Sequence, residues 1–233
     1  MAEFMTVDFW LAVGQIIMID ILLGGDNAVV IALACRGLAP RQRMRGIVYG
    51  TAGALVLRVI LIAFALALLA IPYLKIVGAV MLLWIGVKLL QPEDDDNHPI
   101  SSSEKLWGAI KTVIVADLVM SVDNVLAIAG AAQGAGQQHQ LTLVILGLLV
   151  SIPIIVWGSQ LVLRLMQRFP VVITLGAMLL GWIAGQMAYT DPAIRAYLPE
   201  LALWSYAAAT LGALFVLGVG KALTSRKKSA ATP

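Results

Sequence analysis

The sequence predicts an all-α polytopic membrane protein: seven transmembrane helices arranged as a 3+3 inverted repeat plus one extra helix. Three observations predict it. Hydrophobic residues make up 61% of 233 and charged residues only 12%, so a water-soluble fold would have too little polar surface to cover itself. Apolar stretches recur at about the 20-residue length that a helix needs to cross the hydrocarbon core. The first half of the chain also recurs in the second. The long apolar runs lack the period-two alternation of an outer-membrane barrel strand.

The spans follow in chain order. The first covers 9–35; Glu3 and Asp8 precede it rather than basic residues, and it is longer than a signal-peptide core, so it is expected to be retained. The second covers 46–72, and Pro72 forces a tight turn into the third, 73–90. Residues 91–105 hold Pro92, Pro99, the run Glu93, Asp94, Asp95 and Asp96, His98, and Ser101 to Ser103. They read as an irregular, solvated cytoplasmic linker, with metal sensing by the acids and His98 as the alternative. The fourth to seventh spans cover 106–132, 141–163, 171–189 and 201–220, followed by a basic tail, 221–233. Its Arg226, Lys227 and Lys228 are a topology anchor rather than a nucleic-acid site. The whole of 1–233 is one membrane domain. Cys35 is the single cysteine, which excludes an intramolecular disulfide and a cysteine-cluster metal site.

Charge placement orients the chain. With the N-terminus outside, the inner loops and tail receive Arg36, Arg41, Arg43, Arg45, Lys88, Lys105, Lys111, Arg164, Arg168, Lys221 and the tail cations. The outer side receives Lys75 and Arg195. The positive-inside rule therefore gives N-out and C-in.

Sliding the sequence until Asp20 falls on Asp117 also brings Asp26-Asn27 onto Asp123-Asn124, with apolar or small residues between. One residue of further shift aligns Pro72, Gly78-Ala79 and Trp84-Ile85 with Pro170, Gly176-Ala177 and Trp182-Ile183. Repeat 1 spans about 9–90 and repeat 2 about 106–189. Three helices per copy reverse the direction of the second, so the halves relate by a pseudo-two-fold in the membrane plane. Secondary transporters use that arrangement, with substrate sites near the midplane at the repeat interface. The seventh helix has no counterpart and is expected at the periphery.

Asp20, Asp26, Asp117 and Asp123 therefore lie inside apolar spans. A carboxylate there costs several kcal/mol unless paired, protonated or ligated. A divalent cation would neutralise two of them, with the amides of Asn27 and Asn124 as further oxygen ligands. Such a donor set suits magnesium, calcium or manganese over copper or zinc. Six residues of helix set Asp20 and Asp26 about 120° apart with a rise of ~9 Å, so an unbroken helix cannot bring both onto one ion. Either Gly24-Gly25 unwinds the helix before Asp26, or the labour is divided. In the second case Asp26 and Asp123 bind the ion, while Asp20 and Asp117 line the path or carry protons. Arg58 lies mid-span, where the repeat has Ile154 or Ile155, and pairs with one of the acids as counter-ion or gate. Met18 and Met120 are candidate soft ligands, with ordinary membrane packing as the alternative.

At these residues the sequence resembles the TerC family of integral membrane proteins. The carriers are Gly25-Asp26-Asn27-Ala28, Ser121-Val122-Asp123-Asn124, the preceding Asp20 and Asp117, and Gly78 to Trp84. The resemblance runs from about Phe9 to Gly220 and is nearest the compact single-domain branch. It implies a bacterial cytoplasmic membrane, seven helices and a role in metal-ion export. Family members are associated with manganese efflux, with metal supply to exported proteins and, by name, with tellurium resistance. Family roles carry over to Asp20, Asp26, Asn27, Asp117, Asp123 and Asn124.

The leading reading is a secondary transporter exporting Mn2+ by alternating access. Proton coupling is available because burial disfavours the charged carboxylate. No phosphate-binding loop for direct ATP drive is present. The transported ion is the substrate; no resident cofactor, enzymatic activity or nucleic-acid partner is expected. Beyond the metal ion and the lipid bilayer, the expected partners are a second copy of the chain or the secretion machinery. Two alternatives compete. One is a non-transporting partner supporting metalation or secretion of exported proteins, or tellurite resistance. The other is an intramembrane aspartyl protease, for which Leu23-Gly24-Gly25-Asp26 is a faint likeness but four repeated acids are too many.

Overall fold

The computed structural model describes residues 7–64, 71–91, 101–133, 140–195, 197 and 202–230. Eight helices and no strand occur among them: α1 (Val7–Cys35), α2 (Pro40–Ala63), α3 (Leu74–Leu90), α4 (Ser102–Gln133), α5 (Gln140–Arg168), α6 (Val171–Tyr189), α7 (Pro192–Arg195) and α8 (Ala202–Ala230). Among the described residues, four helices are long and apolar enough to cross a membrane, with spans Pro40–Ile62, Gly147–Arg168, Val171–Tyr189 and Leu203–Ser225. The acidic run 93–96 and His98 lie outside the described residues.

Seven of the eight helices fall on the seven expected apolar spans, and α6 has the expected bounds. The differences lie at the ends: α2 stops at Ala63 with Phe64 in a turn, short of the expected 72, and elsewhere polar turns of helix are invisible to hydropathy. Helix α2 begins at Pro40, not 46, because proline fits the first turn of a helix, where its missing N–H is not needed. Helix α4 begins at Ser102, so 102–105 belong to it rather than to the linker. Ser101 and Glu104 form a capping box: Ser101 Oγ accepts the Glu104 N–H at 3.2 Å, and Glu104 Oε2 accepts the Ser101 N–H at 2.9 Å. Helix α5 runs on to Arg168 with Pro153 inside it, and α8 carries the basic tail as helix to Ala230.

Hydrogen bonds sort the helix ends into two groups. At one end Arg36 Nη2 donates to the Gln91 carbonyl (2.9 Å) and Gln42 Nε2 to the Ser102 carbonyl (3.1 Å). The end of α1, the start of α2, the end of α3 and the start of α4 thus sit together. At the other end the buried Asp191 accepts backbone N–H groups from Tyr73 (3.1 Å), Lys75 (3.0 Å), Ile76 (3.3 Å) and Ala193 (2.8 Å). Tyr73 takes a left-handed φ of 66° at the turn after Pro72 and offers α3 no side-chain cap. A carboxylate from beyond α6 supplies the missing cap and suits the positive end of the α3 dipole.

The core forms where α1 packs on α4 and α5, α2 on α4 and α5, and α3 on α4 and α6. Leu33, Ile47, Leu82, Ile85, Val113, Leu180 and Met187 fill it. Helix α8 is not loosely appended: it lies along α6 and α3. At Gly181 and Gly185 a Cβ would collide with the α8 backbone at Gly212 and Ala208. Small residues let these two helices approach closely, as lipid-embedded helices commonly do. Outward faces are strongly apolar, with Trp107, Trp157, Leu203, Leu211 and Phe215 exposed. In a water-soluble monomer such a surface would drive aggregation; in a bilayer it meets lipid.

Candidate functional site

Helix α1 runs unbroken through Gly24-Gly25, and α4 through Ser121-Val122. Of the two alternatives for Asp26, unwinding of the helix before it does not occur. In an apolar medium the backbone has no other partner for its hydrogen bonds, so the helix keeps them. Gly24 is instead buried against Ile155 of α5.

With the helix intact, Asp26 and Asn27 point about 100° apart. Asp26 is half-buried, and its Oδ1 accepts the Asn27 backbone N–H at 2.8 Å. Asn27 is 2% exposed and faces inward. There α1, α2, α4 and α5 enclose a cavity of about 20 Å³, enough for one water-sized guest. Its polar wall is Asn27, Thr51, Arg58 and Asp117; Ile31, Leu148, Ile152 and Ile155 are among its aliphatic lining.

Arg58 and Asp117 are 4% and 7% exposed and form a buried ion pair. Arg58 Nη2 donates to Asp117 Oδ1 at 2.5 Å and Nε to Ser121 Oγ at 3.1 Å, while Ser121 Oγ donates to Asp117 Oδ2 at 3.0 Å. Ser121, one turn after Asp117, closes a triangle that engages both carboxylate oxygens. Burial of two charges is tolerable when geometry and hydrogen bonds are this complete. The pair is net neutral, so the remaining polarity of the cavity comes from Asn27 and Thr51. Both Asn27 side-chain atoms and Thr51 Oγ1 are buried without a hydrogen-bond partner among the described residues.

The structure brings Asn27, Arg58 and Asp117 together, and Asp26 stands beside them on α1. Asp20, Asp123 and Asn124 lie in helical backbone, but their side chains fall outside the described residues. Among the described residues no three His, Cys, Asp or Glu side chains converge. Neither methionine borders the cavity. Met18 is 60% exposed, nine residues and so about 180° from Asn27 on α1, and Met120 packs into the apolar core. Neither therefore offers sulfur to this cavity.

Two residues escaped sequence reasoning. Thr51 carries no charge and is at home in an apolar helix, so nothing marked it. Ser121 stands in the motif as the repeat counterpart of Gly24, a position that gives no hint of the link it makes between Arg58 and Asp117. The repeat alignment held one unused signal. The offset that puts Asp20 on Asp117 puts Thr51 on Leu148 and Arg58 on Ile155, and all four line the cavity. Thr51 and Arg58 thus make α2 polar at positions where α5 is apolar.

An all-helical bundle with an apolar exterior and a buried, charge-paired polar cavity defines an integral membrane protein. The chain belongs to the integral membrane protein TerC family, whose profile matches residues 5–228. It is 42% identical over 193 residues to the uncharacterized membrane protein YjbE of Bacillus subtilis (strain 168), covering 83% of this chain and 86% of the relative. It is 26% identical to the uncharacterized membrane protein YceF of the same organism, covering 77% and 71%. Identity to the UPF0053 inner membrane protein YgdQ of Escherichia coli (strain K12) is 22%, covering 69% and 73%. No solved structure matches the chain.

Proposed function

We propose that the protein is a secondary transporter that exports a divalent metal cation, Mn2+ first among candidates, across the bacterial cytoplasmic membrane by alternating access. The observation that carries this reading is the cavity between the halves. It holds a neutralised Arg58–Asp117 pair beside two unpartnered oxygen-bearing side chains, one of them in the Asp26-Asn27 motif. Buried polar groups that the fold leaves unsatisfied mark a place where a guest is to be bound.

The helix arrangement supports the transport frame. Exchanging α1 with α4, α2 with α5 and α3 with α6 turns the α1–α5 contact into α4–α2, and α3–α4 into α6–α1; α1–α4, α2–α5 and α3–α6 map onto themselves. That is the packing expected of an inverted repeat of three helices, with α8 as the seventh span. The grouping of helix ends, one of them rich in arginine and lysine, supports seven crossings with N-out and C-in.

Asp26 and Asp123 act as the ion-binding acids, and Asp20 joins Asp117 in lining the path or carrying protons that exchange for the metal. Reconstitution in liposomes with an interior Mn2+ reporter tests the reading, with Asp26→Asn and Asp123→Asn alongside. Uptake abolished by both substitutions is the expected result. Uptake that survives both leaves a transporter with another site. No uptake by folded protein under any proton gradient removes the transporter reading in favour of a membrane partner for metalation or secretion of exported proteins.

A further inference from the structure

Among the described residues, five helical hydroxyls turn back on the carbonyl four residues earlier in their own helix. Thr112, Thr210 and Thr224 donate to the carbonyls of Gly108, Tyr206 and Gly220 at 2.7–2.8 Å. Ser151 and Ser159 do the same to Gly147 and Ile155 at 3.0 and 2.8 Å. This is the default where water is scarce, since the carbonyl four residues back is always at hand. Thr51 departs from it. Its hydroxyl is buried, lines the cavity and makes no hydrogen bond among the described residues, although Ile47 stands one turn back. An unmade bond on a buried hydroxyl costs on the order of 1–3 kcal/mol.

On the same cavity wall the side-chain amide of Asn27 is unpartnered at both its nitrogen and its oxygen. Two helices thus offer neutral oxygens to one water-sized space. The opposing α5 positions, Leu148 and Ile155, offer none. The acid that lines this space is Asp117, paired with Arg58; Asp26 is the neighbour of Asn27 on α1 but does not border the space, so what α1 and α2 offer a cation there is neutral oxygen. Hard divalent cations accept hydroxyl and amide oxygens in that role.

We propose that Thr51 is a ligand of the transported cation, its hydroxyl oxygen and the Asn27 amide oxygen forming the neutral half of the site on α2 and α1. This rests on the transporter reading above and adds a residue that neither repeat motif contains.

The test is Mn2+ binding to the full-length, detergent-purified protein by equilibrium dialysis, comparing wild type with Thr51→Val and Thr51→Ser. Valine keeps the shape and removes the oxygen, so it is expected to fold and to bind about ten- to a hundredfold more weakly. Serine restores the oxygen and is expected to stay within about threefold of wild type. A metal-free melting curve accompanies each variant. Wild-type affinity in Thr51→Val overturns the proposal, and a shifted metal-free melt beside it would identify the hydroxyl as the anchor of a buried water. If wild type transports Mn2+ and valine binds it as tightly, the ligand assignment fails alone. If folded wild type neither binds nor transports Mn2+, the transporter reading fails and takes this with it.

Discussion

At the scale of single residues, the Arg58–Asp117–Ser121 triangle governs the cavity. Each Asp117 oxygen has a donor, and Ser121 both accepts from Arg58 and donates to Asp117. Removing one member strands the other charge in an apolar interior, which costs about 3–5 kcal/mol, whereas replacing both by apolar groups of similar volume is close to neutral. Arg58→Met is therefore expected to lower the thermal midpoint of the purified protein well below that of wild type. Arg58→Met combined with Asp117→Leu is expected to regain most of the loss. Tryptophan fluorescence melts read both, and a double variant no better than the single one would mean that the two charges are not energetically coupled. The same contrast explains what could be read in advance. Charges within apolar spans announce themselves, so Arg58 and Asp117, the two that line the cavity, were legible. Thr51 and Ser121 were not, because a hydroxyl in a membrane helix ordinarily bonds its own backbone and carries no message.

At the scale of elements, the helices were legible because the bilayer imposes their length, and their ends were not because capping is local chemistry. Pro40 and the Ser101–Glu104 box extend α2 and α4 beyond the apolar stretch. Asp191 is the clearest case. An acid beyond the last apolar residue of a span reads as solvated, yet it is fully buried and caps α3 across the molecule. Nothing near Asp191 in sequence points to residues 73–76; only the fold joins them. Asp191→Ala removes the acceptor of the Tyr73 N–H and of two first-turn amides of α3 at once. The expected result is faster hydrogen exchange at Lys75 and Ile76, by about tenfold or more if the loss is 1.4 kcal/mol or greater, with exchange in the middle of α6 unchanged. Unchanged protection at those two amides would show that the turn after Pro72 holds α3 without the carboxylate.

At the scale of the whole molecule, the orientation proposed for the bundle can be decided by chemistry on its two ends. The end that gathers Arg36, Gln42, Gln91 and Ser102 also carries Arg41, Arg43 and Arg45; short loops rich in such cations are as a rule kept on the cytoplasmic side, which is the ground for the proposed orientation. The opposite end, held by Asp191, carries Lys75 and Arg195 and the 88% exposed Tyr197. Cys35 is the native thiol and is fully buried, so single added cysteines can be labelled against a quiet background. Tyr197→Cys is expected to react with a membrane-impermeant maleimide on intact cells. Arg41→Cys and Lys105→Cys, both at exposed positions, are expected to react only after permeabilisation. The reverse pattern would turn the protein over and make the export direction an import direction. Labelling of Tyr197→Cys and Lys105→Cys from the same side would be worse for the proposal. It would put an even number of crossings between the start of α4 and the end of α6, where three are needed for the second half to run against the first. Without that antiparallel relation the exchange of helix contacts between halves would have no transport meaning, and the cavity beside Asn27 would be a buried polar pocket with no route to both sides.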